Sequence, residues 1–186
     1  MTWSQIARRM RVPLGFLFAV FYLWMARPSA RSIIAGAVLA AAGLAIRALA
    51  SGYVRKNEDL ATTGPYAYTR NPLYLGSIVI AAGFALMARS WIVVLLLLLM
   101  FAAIYLPVIR GEEEFLLARF PQFAEYKQRV PRLLPRLFSR QKASTSPPGK
   151  SAFSSQLYLQ HREYNALAGT LAMIALVVGK LLFFSR

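Results

Sequence analysis

The chain has 186 residues, 58% of them hydrophobic and 16% charged, with 22 Lys+Arg against 7 Asp+Glu and a formal net charge of +15. An ordinary soluble domain is about 45–50% apolar and about 25% charged; here the apolar residues fall in long blocks, and 91–109 holds no charge at all, which excludes a soluble globular domain and a disordered chain. Cysteine is absent and His161 is the only histidine, which excludes disulfides, thiolate or multi-histidine metal sites, iron–sulfur clusters and thiol nucleophiles.

The first predicted element is an apolar stretch over 12–26, preceded by Arg8, Arg9 and Arg11. A signal peptide cleaved near Ala26 is one reading; bulky Trp24 and Met25, and the close start of the next block, favour a retained helix. A second span is expected over 32–50. Its small residues (Ala35, Gly36, Ala37, Ala40, Gly43) let helix backbones approach closely in lipid. Residues 51–72 form a polar connection punctuated by Gly64-Pro65 and Asn71-Pro72, and Pro72 suits the first position of a helix. A short third span over 73–88, a turn at Arg89-Ser90 and a fourth span over 91–109 make a hairpin whose ends return to one side.

Residues 110–136 change character. Phe115, Leu116 and Phe120 among charged neighbours read as an amphipathic interfacial helix ended near Pro121, followed by a short helix over 122–129. Residues 140–151 have linker composition, and a fifth span is expected over 167–184. The expected fold is all-α: a multi-pass transmembrane helical bundle of about five spans with cytoplasmic interfacial helices. Its divisions are a core over 1–139, a flexible linker over 140–151, and an interfacial segment plus additional span over 152–186.

Sixteen of the 22 basic residues lie in the N-terminus, the 51–72 connection and the 110–165 segment; five lie on the opposite side, and Arg47 is inside a span. Lys and Arg concentrate in cytoplasmic loops, so the N-terminus and both polar segments are expected in the cytoplasm and the C-terminus outside. The pI of about 11.0 has the same origin; nucleic acid is not an expected partner.

The chemistry-bearing residues gather on that cytoplasmic side. One block is Gly64-Pro65-Tyr66…Arg70-Asn71-Pro72-Leu73-Tyr74-Leu75-Gly76. The other follows the fourth span: Arg110, then Glu112-Glu113-Glu114. Three adjacent glutamates leaving an apolar span are costly unless they meet cations or water. Read alone, they are a solvated run at the start of the interfacial helix, where acids are favourable.

Together the two blocks, with Leu117, Phe120, Tyr126, Arg129-Val130-Pro131 and Pro135 behind the second, resemble the integral-membrane methyltransferases. These include the isoprenylcysteine carboxyl methyltransferases and the phospholipid N-methyltransferases. The resemblance covers residues 31–136. It implies S-adenosylmethionine as methyl donor, bound on the cytoplasmic side, with Tyr66, Arg70, Asn71, Pro72, Tyr74, Glu113 and Glu114 lining its pocket. Arg110 is the candidate for positioning substrate or charge. A carboxylate suits the cofactor's amino group or ribose hydroxyls and a guanidinium its carboxylate. Tyr66 and Tyr74 suit adenine or the sulfonium.

This sequence departs from the isoprenylcysteine branch at Asn71, where histidine is common, and from the family at Pro121 and Phe123. His161 is expected to be a solvated interfacial residue. The resemblance implies a lipid-like or prenylated small substrate that enters sideways from the bilayer, its tail still in hydrocarbon. Carboxyl O-methylation of an isoprenylcysteine-like acceptor is the first expectation, from the Glu-Glu and Val-Pro block. Phospholipid N-methylation of the phosphatidylethanolamine type is the alternative, from Asn71. A non-catalytic scaffold or anionic-lipid binder is the reading outside catalysis, because basic interfacial clusters attract acidic headgroups. A transporter is disfavoured because no span shows paired charges.

Overall fold

In a computed structural model, residues 3–55, 59–135 and 153–184 are described, and among them every regular element is helical. The expected linker over 140–151 lies outside these residues. The helices are α1 (Trp3–Met25), α2 (Ala30–Ser51), α3 (Pro72–Ala88), α4 (Trp91–Met100), α5 (Leu106–Arg119), α6 (Phe123–Arg129), α7 (Ser155–Gln160) and α8 (Tyr164–Phe184). A 3-10 turn covers Gly64–Ala67, and a π turn covers Phe101–Tyr105. Three helical stretches, Ala30–Ser51, Trp91–Arg119 and Tyr164–Phe184, are long and apolar enough to cross a membrane; Pro13–Met25 and Pro72–Ala88 are shorter apolar helices. At a ~1.5 Å rise per residue, α3 reaches about 26 Å. All five apolar blocks of the sequence are therefore helical, and the all-α membrane architecture stands.

Large apolar side chains cover the outside: Phe16, Leu17 and Trp24 on α1, Leu95 and Leu98 on α4, Leu182 and Phe183 on α8 are all exposed. Apolar side chains exposed in this number suit hydrocarbon rather than water.

The fourth expected span and the interfacial helix are one continuous helical stretch, Trp91–Arg119, a difference from the sequence expectation. Nothing between 108 and 119 stops a helix, since Glu, Leu, Ala and Arg are good helix formers and Gly111 alone is tolerated. The stretch ends at Arg119, ahead of Pro121, as expected. Its irregularity lies earlier. Pro107 has no N–H to give the carbonyl of Ala103, and its ring crowds that carbonyl. Just before Pro107 the backbone widens, and the Leu106 N–H bonds to the Phe101 carbonyl, five residues back. A π turn inserts one residue and turns the following faces by about 100°.

The chain divides into two compact units: 1–40, 81–115 and 170–186 in one; 41–80 and 116–169 in the other. In the first, Tyr22, Ala26, Ile33, Met87, Ala88, Val93 and Val177 form the core. Tyr22 packs edge-on against Phe84 and donates to its carbonyl at 2.9 Å. Gly36 and Gly83 lie backbone to backbone, with no room for a side chain at either. The ammonium of Lys180 caps the last carbonyls of α1, at Leu23 and Trp24, where a cation is favourable.

In the second unit α2 and α3 meet at glycines again. A Cβ at Gly43 would stand 2.6 Å from the Gly76 carbonyl oxygen, and one at Gly76 would stand 2.7 Å from that of Gly43. A separate small core joins Phe123, Tyr126 and Val130 to Leu60, Leu116 and Phe120.

Candidate functional site

The second unit holds the first motif block. Gly64 opens the 3-10 turn at φ 58, a left-handed conformation that glycine adopts without strain. Pro65 follows as the second residue of the turn, and its carbonyl accepts from Tyr68 and Thr69 N–H at 3.2 and 3.3 Å. Tyr66 is buried, and its carbonyl accepts the Tyr126 hydroxyl at 2.7 Å. The turn is thereby pinned to α6.

The block is held a second time by the chain that leaves α6. The Arg70 N–H donates to the Pro131 carbonyl at 2.9 Å. The Thr69 hydroxyl and the Asn71 side-chain amide both donate to the Arg132 carbonyl, at 3.1 and 3.0 Å. Asn71, expected to line a cofactor pocket, thus has its amide nitrogen committed to the backbone of 132. Pro72 is buried and starts α3; the Asn71 carbonyl accepts from Leu75 N–H at 3.0 Å. Arg70 and Tyr74 are half-buried.

The first unit holds the second block. Of the three glutamates on α5, Glu113 is buried at 5% exposure, Glu112 is half-buried, and Glu114 is exposed, as is Arg110. The acid run is therefore not uniformly solvated. Beyond the π turn the buried residues of this stretch are Val108, Ile109 and Glu113, and Phe115 is exposed.

Tyr126 and Pro131, which the resemblance included without a role, hold the first block together with the Arg132 carbonyl. Sequence reasoning missed one further pair: Arg47 of α2 meets Glu163, which immediately precedes α8. The guanidinium Nε donates to Oε2 at 3.0 Å and Nη2 to Oε1 at 2.9 Å. No local pattern links residues 116 apart. His161 also differs from its expected solvated state: it is half-buried, with Nδ1 enclosed and without a hydrogen-bond partner.

Among the described residues no three His, Cys, Asp or Glu groups gather as a metal site. A cleft of about 190 Å³ is lined by Leu44, Ala45, Arg47, Ala48, Tyr158, Glu163 and Leu167.

Comparison with known proteins bears on the whole arrangement. The chain is 41% identical over 103 residues to the cobalt-zinc-cadmium resistance protein CzcN of Cupriavidus metallidurans, covering 55% of this chain and 48% of that protein. It is 42% identical over 83 residues to the nickel-cobalt-cadmium resistance protein NccN of Alcaligenes xylosoxydans xylosoxydans, covering 45% and 39%. The chain spans about half the length, or less, of these curated relatives. No solved structure matches it. The model of the phospholipid methyltransferase family matches residues 14–122, a stretch that contains both motif blocks and more than half of the chain. On that match, this membrane protein belongs to the phospholipid methyltransferase family.

Proposed function

We propose that this chain transfers a methyl group from S-adenosylmethionine to an amphiphile held in the bilayer, with its site on the cytoplasmic side. A phospholipid amine of the phosphatidylethanolamine type is the first acceptor in this proposal. An isoprenylcysteine-like carboxylate is the second. That order reverses the sequence expectation, because family membership and Asn71 both favour the phospholipid branch. The observation that carries the proposal is Glu113, a carboxylate only 5% exposed on a membrane helix inside the family-matched stretch. Carboxylates are almost never so buried without a specific task or partner.

Taken each in its own unit, the residues suit parts of the cofactor: the Glu113 carboxylate, of low exposure, would suit an ammonium or ribose hydroxyls, and the half-buried Arg70 guanidinium a carboxylate. Tyr74, half-buried on the first turn of α3, is of a residue type that suits a positive charge. When bound, S-adenosylmethionine would supply a methyl on a positively charged sulfur, ready for in-line displacement by a lone pair. The protein's residues then have to bind, orient and exclude water rather than activate. Arg110, exposed at the polar end of the apolar stretch, would attract an anionic headgroup.

The two relatives bear metal-resistance names. With no cysteine and one histidine in these 186 residues, we place any such role for this chain in altered membrane lipid rather than in metal ligation. The deciding experiment incubates detergent-purified protein with methyl-labelled S-adenosylmethionine and phosphatidylethanolamine, prenylcysteine analogues or small soluble thiols. Label in phosphatidylethanolamine is expected. Label in soluble thiols alone rejects a bilayer-held acceptor, and no cofactor binding at all favours the scaffold reading.

A further inference from the structure

Residues 153–169 lie beyond the family-matched stretch, and the proposed chemistry gives them no part. They are nevertheless tied to α2 and to the turn just after it. Near residue 52, the Ser154 N–H donates to the Gly52 carbonyl at 3.0 Å, and the Phe153 ring covers Gly52, where a side chain has no room. The same ring tilts against Tyr53 at 6.2 Å between centroids. At the start of α8, Glu163 takes the two-pronged bond from Arg47, whose side chain is 22% exposed against 10% for the glutamate.

The remaining nitrogen of that guanidinium turns the other way. Nη1 donates to the Ser77 hydroxyl at 2.6 Å and reaches the Leu73 carbonyl at 3.4 Å, while the Ser77 hydroxyl donates to the same carbonyl at 3.1 Å. The arginine stem crosses α3 at Gly76, where a Cβ would lie 2.6 Å from Arg47 Cγ. One side chain therefore joins the C-terminal segment to the first turns of α3. Those turns begin at Asn71-Pro72 and carry Tyr74.

We propose that residues 153–169 brace the candidate site, and that Glu163 is a positioning residue: its carboxylate fixes Arg47, and Arg47 fixes the first turns of α3. A bidentate carboxylate holds a guanidinium in one plane as well as neutralising it. Without that carboxylate the arginine is a poorly compensated charge at the edge of hydrocarbon, and its long stem lets the head swing toward water. The adjoining cleft of about 190 Å³, walled by Leu44, Ala48, Tyr158 and Leu167, gives it room to do so. Ser77 and the Leu73 carbonyl then lose their tie. The functional half of this inference rests on the reading that the 66–74 segment serves the cofactor; the structural half does not.

Hydrogen exchange of the full chain in nanodiscs, without cofactor, tests the brace directly. Glu163→Gln and Ser77→Ala are each expected to speed exchange over 64–77 about fivefold, with α1 unchanged; the double variant should go little beyond the worse single one, because both act through Arg47. S-adenosylmethionine affinity, measured well below the melting temperature, should fall by a similar factor in Glu163→Gln. Unchanged exchange over 64–77 in either single variant overturns the brace, as do additive effects or faster exchange spread evenly over all helices. If Glu163→Gln does not fold, the milder Ser77→Ala decides by the same readout. If the wild-type chain binds no S-adenosylmethionine, the functional reading fails, and the exchange result still judges the brace.

Discussion

The three consecutive glutamates of α5 offer the sharpest separation between a binding role and a solvated charge run. Glu113 is 5% exposed, whereas Glu114, next to it, faces solvent. Glutamine keeps the shape and removes only the charge, so the comparison isolates what the carboxylate contributes. A hydrogen bond to a charged group contributes about 1.5–3 kcal/mol, and ~1.4 kcal/mol is tenfold in an equilibrium constant. Glu113→Gln should therefore weaken S-adenosylmethionine binding about 10- to 150-fold. Exposed substitutions stay within about 0.5 kcal/mol, so Glu114→Gln should change affinity by about twofold at most. Titration calorimetry of the purified protein in nanodiscs reads both. Thermal unfolding without cofactor controls for general damage. Equal losses in the two variants, or none in Glu113→Gln, would refute the argument from burial and return the run to a helix-capping role.

Two other expectations follow from particular contacts and a third from the distribution of charge. Tyr126→Phe leaves the buried Tyr66 carbonyl without its 2.7 Å donor, so stability should drop by about 1–3 kcal/mol; an unchanged melting curve would count against the pinning of the 3-10 turn. Gly43→Ala forces a Cβ onto the Gly76 carbonyl and the Ile80 backbone, an overpacking that costs about 1–3 kcal/mol. Gly169→Ala meets nothing within 4 Å on α8, and should be neutral or stabilising by up to about 1 kcal/mol; the reverse order in a detergent melting assay would sink the close-approach account. Reporter fusions at Arg89 should give an external signal if, as the charge bias predicts, the 51–72 and 110–136 segments are cytoplasmic. A cytoplasmic signal there would overturn the orientation.

Local signals were strong enough to mark most helices in the sequence. Uninterrupted apolar blocks gave the membrane class. Pro72 marked the start of α3, Pro121 the stop after Arg119, and α6 fell at Phe123–Arg129 within the expected 122–129. These features depend on neighbours a few residues away, which is the range over which hydropathy and proline act. The merger of α4 and α5 was not visible, because a change from apolar to charged composition does not itself break a helix.

The candidate site was legible as a set of residues and not as an arrangement. Sequence placed Arg70, Asn71, Glu113 and Glu114 on equal footing; folding separates them. Asn71 spends its amide on the Arg132 carbonyl, a bond across 61 residues. Glu113 is buried and Glu114 is exposed, a difference that three adjacent glutamates do not reveal in a sequence. Arg47 looked like a stray charge in a span until the fold brought Glu163 to it. Which elements form was decided by local propensity and hydropathy. Which side chains become partners was decided by long-range packing, since only the folded bundle sets two distant groups within the ~3 Å that a hydrogen bond requires.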